Sequence, residues 1–125
     1  MNQVLVRVFC AKVATMVPRD GQRIIFMNTW QLETPEVKPT DKYLMNVACR
    51  DIREIDLSDE LWVLSEDCEF VPGGMHFEAG YAYGQGKRVI VMGPKVHAFY
   101  NLPDIQHYAN YQDFLAANFR SAFDA

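Results

Sequence analysis

The chain has 125 residues, half of them apolar and 22% charged, which fits one soluble globular domain spanning 1–125 and excludes a disordered polymer. Its formal charge is −4 and its basic residues are scattered, Lys87-Arg88 being the only local pair, which argues against a nucleic-acid polymer as partner. Three cysteines, at 10, 49 and 68, show no metal or redox spacing and point to a reduced, cytoplasmic setting. The apolar run at residues 4–10 is too short for a membrane span, and no membrane partner is expected.

Val4-Leu5-Val6-Arg7-Val8-Phe9-Cys10 is β-branched and apolar and predicts a strand. Residues 11–17 allow one or two helical turns, stopped by Pro18, and residues 19–22 form a turn. Residues 23–30 predict a second strand through Ile24, Ile25 and Phe26, ending at Trp30. The next stretch, 33–40, holds two prolines and predicts a loop.

The clearest helix follows, capped by Thr40 or Asp41. Leu44, Val47, Ala48, Ile52 and Ile55 recur at helical spacing, which places Arg50, Asp51, Arg53 and Glu54 mostly on the wet side. Residues 56–58 end it. Leu61-Trp62-Val63-Leu64 is a continuous apolar run, as a central parallel strand requires, and Trp62 within it reads as core.

A polar loop at 65–72 leads to a helix that Gly73 or Gly74 opens and Gly84 or Gly86 closes. Val89-Ile90-Val91-Met92 predicts a strand stopped by Gly93-Pro94. After a turn at 101–103, residues 105–108 suit a short edge strand. Asn110, with Asp113 three residues on, caps a last helix whose apolar face is Tyr111, Phe114, Leu115, Phe119 and Ala122. Such alternation predicts a three-layer α/β sandwich with a mostly parallel sheet of four or five strands. Ligands of such sheets bind at the carboxyl ends of the strands.

Two stretches carry a resemblance. The first is Asp51-Ile52-Arg53-Glu54-Ile55 followed by Ser58-Asp59-Glu60-Leu61-Trp62-Val63-Leu64. The second is Gly73-Gly74-Met75-His76-Phe77-Glu78-Ala79-Gly80-Tyr81-Ala82 followed by Gly86-Lys87-Arg88-Val89-Ile90-Val91. Together they resemble the nucleoside 2-deoxyribosyltransferase-like family, which includes related nucleoside 5′-monophosphate N-glycosidases. The resemblance implies a flavodoxin-like domain that cleaves the N-glycosidic bond of a nucleoside or nucleotide without metal or cofactor. It implies Glu78 as the catalytic carboxylate, Asp59 as an acid in the sugar site, and self-association into a homo-oligomer.

On the residues alone, a carboxylate at Glu78 can stabilise the positive charge that grows on a sugar ring, or attack it. It reads equally as a helix acid favoured by the dipole. Asp59 suits a sugar hydroxyl or a proton on the leaving base, or equally a strand-entry Asp bound to backbone amides. Gly73-Gly74 exposes backbone amides that can hold a 5′-phosphate, or forms a plain tight turn. Trp30 and Tyr81 offer faces for a base, although aromatics there also serve as core. His76 points to a different side of the helix from Glu78 and reads as a surface or interface histidine. A non-catalytic nucleotide-binding module using the same cleft is the competing function.

Overall fold

The strand Arg88–Met92 is buried at every residue after its arginine, and its side chains alternate between two separate apolar clusters. Both faces of the sheet must therefore be covered. The structure, a computed structural model, describes residues 3–22, 24–25, 40–66 and 73–123. Its elements are α1 (Gln3–Val13), β1 (Met16–Pro18), α2 (Asp41–Leu57), β2 (Glu60–Leu64), α3 (Gly73–Gly84), β3 (Arg88–Met92), a 3-10 helix (Ala98–Asn101), β4 (Gln106–Tyr108), α4 (Tyr111–Asn118) and β5 (Phe119–Ser121).

Among the described residues three strands, in the order β2-β3-β4, form a parallel sheet where four or five were expected, with Leu61 opposite Val89 and Val91 opposite His107. On one face Trp62, Leu64, Ile90 and Met92 pack against Phe9 and Val13 of α1 and Tyr111, Phe114 and Leu115 of α4. On the other, Leu61, Val63, Val89 and Val91 pack against Ile55 of α2 and Met75, Ala79 and Ala82 of α3. Each such aliphatic side chain contributes roughly 1.5–3 kcal/mol by leaving water. The first cluster is largely aromatic, with Phe114 edge-on to Trp62 at 4.9 Å and to Tyr108 at 5.3 Å between ring centroids.

Residues 4–10, expected as a strand, lie within α1. Val6, Phe9 and Val13 recur at helical spacing and are buried, while Val4, Arg7 and Val8 face solvent. Phe9 decides the matter: it is 2% exposed, with Trp62 and Tyr111 edge-on to its ring. Burial of one helical stripe overrides the β preference of valine, which is weak and depends on context. The helical turns expected within 11–17 are the end of α1. Beyond it the chain turns into β1, which pairs antiparallel with β5. The last helix accordingly stops at Asn118, and Phe119 reaches the core from a strand instead.

The expected strand at 23–30 is described only at Ile24 and Ile25, which belong to neither helix nor strand, and Trp30 lies outside the described residues. β2, expected to be central, has a single strand neighbour among the described residues, and β3 holds the middle. Its apolar run records coverage of both faces by helices, not the number of lateral neighbours.

Thr40 caps α2, its side chain accepting from the Tyr43 amide at 3.1 Å, and Asn110 caps α4 through the Asp113 amide at 2.8 Å. The apolar face of α2 is buried only toward its carboxyl end, at Ile55; Leu44 is 51% exposed. Among the described residues no helix is long and apolar enough to cross a membrane.

Gly93 closes β3 with φ +121°, and a Cβ placed there would stand 2.7 Å from both the Glu66 amide nitrogen and Ser65 Oγ. Ser65 cannot give way. It is fully buried, and its hydroxyl donates to the Pro94 carbonyl at 2.7 Å. Gly93→Ala is therefore expected to cost about 2–3 kcal/mol from backbone strain and overlap. A thermal melt reads this directly; an unchanged midpoint would show that the β3 end relaxes freely.

Candidate functional site

α3 is short and rich in small residues, and its wheel settles where each functional side chain points. At 100° per residue, Met75, Ala79 and Ala82 share the face against the sheet. Glu78 and Tyr81 then lie on one flank, and His76 and Tyr83 on the other. The partners agree. Tyr81 donates its hydroxyl to Asp56 of α2 at 2.6 Å, whereas Tyr83 donates to Asp104, beyond the 3-10 helix, at 2.9 Å.

Glu78 is half-buried on the flank toward α2. Its carboxyl is pushed up from 4.5 to about 7, chiefly by burial, then by the charges of Asp51 and Glu54. These two acids occupy positions i and i+3 of α2, one face of that helix. Glu54 was expected on the wet side. It is instead buried, because the last turns of α2 lean on α3. Asp51 is held by Arg50, whose Nη2 donates to it at 3.0 Å. The sequence shows the i, i+3 pair but not the helix it faces, so neither acid stood out as part of this site.

The remaining expected site residues are distributed along the sheet. Gly73 and Gly74 begin α3 near the carboxyl end of β2, and a Cβ at Gly74 would meet nothing within 4 Å. Tyr81 lies toward the other end. Its hydroxyl and the Lys87 ammonium both donate to Asp56, to the carboxylate and the backbone carbonyl respectively. The bond to Asp56 pushes the Tyr81 phenol up, with burial and the Asp56 charge adding to it.

Asp59 is exposed at the entry to β2, where its carbonyl accepts from the Arg88 amide at 3.3 Å. The five residues of β2 separate it from the start of α3, roughly 15 Å at a strand's rise. The structure therefore sets Glu78 within electrostatic reach of Asp51 and Glu54. It does not bring Asp59 to the same end of the sheet as Gly73 and Gly74.

Among the described residues no group of three or more His, Cys, Asp and Glu side chains is placed to hold a metal ion. No family model, no curated protein and no solved structure matches this chain.

The raised Glu78 carboxyl has a sign that can be checked. Below pH 4.5 the side chain is protonated in both folded and unfolded chains and costs nothing. Between 4.5 and about 7 the unfolded chain loses a proton that the folded chain keeps, so stability falls as pH rises, and the full cost persists above 7. Glu78→Gln is expected to raise stability at pH 8 by on the order of 1–2 kcal/mol, discounted for partial exposure, and to change nothing near pH 4. Paired denaturant titrations at the two pH values read the difference. An equal effect at both would show that the carboxyl is not perturbed.

Proposed function

We propose that the chain is an N-glycosidic-bond enzyme acting on a nucleoside or nucleoside 5′-monophosphate, as a hydrolase or a 2-deoxyribosyl transferase, with Glu78 as nucleophile. The observation that carries this reading is a half-buried carboxyl flanked by two further acids, in the stretch that resembles the nucleoside 2-deoxyribosyltransferase-like family. Breaking the C1′–N bond leaves positive charge on the sugar. A desolvated carboxylate beside Asp51 and Glu54 sits in a negative field that favours such a centre. Glu78 attacks C1′, the base departs, and water or a second base resolves the glycosyl ester. The parallel sheet covered on both faces suits the flavodoxin-like, four- or five-stranded fold that the family would bring.

One observation favours a second reading, a non-catalytic nucleotide-binding module. Asp59 and the amino end of α3 lie at opposite ends of β2, so the two expected sugar and phosphate contacts do not meet.

Chromatography of free base released from nucleosides and their 5′-monophosphates separates the two readings. The enzyme is expected to release base, and Glu78→Gln to slow release a hundred- to thousand-fold, on the order of a lost transition-state charge partner. A nucleophile must be ionised, so the rate should climb with pH through a limb centred near 7, where the carboxyl titrates. A variant within threefold of the parent would remove Glu78 from the reaction. Ligand-induced thermal stabilisation without base release would establish the binding module.

A further inference from the structure

The connection from β3 to β4 is anchored on α3 by Tyr100 of the 3-10 helix. This side chain is 3% exposed and packs in the cluster with Met75 and Ala79. Its hydroxyl lies 3.0 Å from His76 Nδ1. The turn that delivers Tyr100 is capped by a histidine. His97 stands in extended backbone just before the 3-10 helix, and its Nδ1 accepts from the Phe99 amide at 3.3 Å. An Asn, Ser or Thr oxygen in this position accepts whether the solution is acid or neutral. An imidazole nitrogen accepts only while it carries no proton. The cap therefore depends on the charge of His97, and histidine is the side chain whose charge changes between about pH 8 and 5.

The surroundings of the ring act in the same direction. His76 faces His97 from α3, with ring centroids 4.9 Å apart. The contact between His76 and Tyr100 survives a proton on His76, since a hydroxyl donates or accepts as required. His76 can thus hold a positive charge in place, and that charge opposes a second one on His97. Tyr100 stays a neutral phenol, its titration pushed up by burial. Of the other charged groups on this connection, Asp104 takes the Tyr83 hydroxyl, and Lys95 is exposed and of like sign. Phe99 lies flat on His97, with centroids 5.1 Å and planes 12° apart. An aromatic face tolerates an imidazolium, so the bond that a proton removes is the one to the Phe99 amide.

We propose that His97 is a pH-sensitive cap: the 3-10 helix Ala98–Asn101 is closed while His97 is neutral, and acid opens it while the sheet stays folded. On the other flank of α3, protonation of Glu78 stabilises the fold as pH falls through about 7. The opening is therefore local, and it does not depend on the reaction proposed for Glu78.

The test is ¹⁵N NMR of amides and histidine rings in the full labelled chain, with hydrogen exchange corrected for the intrinsic rate, at pH 8 and pH 5. At pH 8 His97 Nδ1 should carry the shift of an unprotonated nitrogen. At pH 5 it should carry that of an N–H, and the Phe99 amide should lose its hydrogen-bonded shift. The Tyr100 and Leu102 amides, which donate to the His97 and Phe99 carbonyls, should lose protection roughly fivefold, on the order of one lost cap. The β3 amides should keep theirs. His97→Asn retains an accepting oxygen and cannot titrate, so its turn should stay closed at both pH values. His97→Ala should show the open turn already at pH 8, and His76→Gln should keep the response of the parent. A proton on His97 Nδ1 at pH 8, an unmoved Phe99 amide at pH 5, a parental response in His97→Asn, a closed turn in His97→Ala, a response lost in His76→Gln, or an equal loss of protection in β3 would each overturn the cap.

Discussion

The structure depends on β3 being buried from both sides. Val89 and Val91 face one way, Ile90 and Met92 the other, and none of the four reaches water. Neither face can be left open, so two helices must lie on each. Aromatic rings from α1 and α4 fill one side. On the other side, Ala79 and Ala82 let α3 settle against the strands while Ile55 brings in the end of α2. Gly93 then ends the strand where Ser65 and Glu66 crowd it. Glu66 is itself drawn into the fold there, accepting from the Tyr111 amide at 2.6 Å at the start of α4.

The seating of α3 on this sheet determines its chemistry. With Met75, Ala79 and Ala82 turned inward, residues on either side of that stripe are sent in opposite directions. Glu78 is sent toward α2, where its partly buried carboxyl feels the charges of Asp51 and Glu54. His76 is sent to the segment after β3, where Tyr100 and His97 fix its ring. One short helix therefore presents Glu78 on one flank and His76 on the other, separated by its own width. On the first flank burial, with the charges of Asp51 and Glu54 behind it, makes Glu78 hold its proton more tightly; on the second the His76 and His97 rings lie against one another.

Sequence alone determined the elements whose signals are local. The Thr40 and Asn110 caps, the limits of α3 at its glycines, and the apolar strands β2 and β3 follow from propensity, capping and period, which need no knowledge of neighbours. Tertiary structure alone decided the rest. Val4 to Cys10 satisfies both a strand and a helical period, and only the rings waiting around Phe9 chose the helix. The i, i+3 pair of Asp51 and Glu54 is visible in the chain, but its electrostatic reach to Glu78 requires two helices to be packed side by side. The distance between Asp59 and Gly73 depends on which ends of a strand they occupy, and the meeting of His76 with His97 spans a helix, a strand and a turn. Local order is written in neighbouring residues; a site is made by residues distant in sequence, and only packing brings those together.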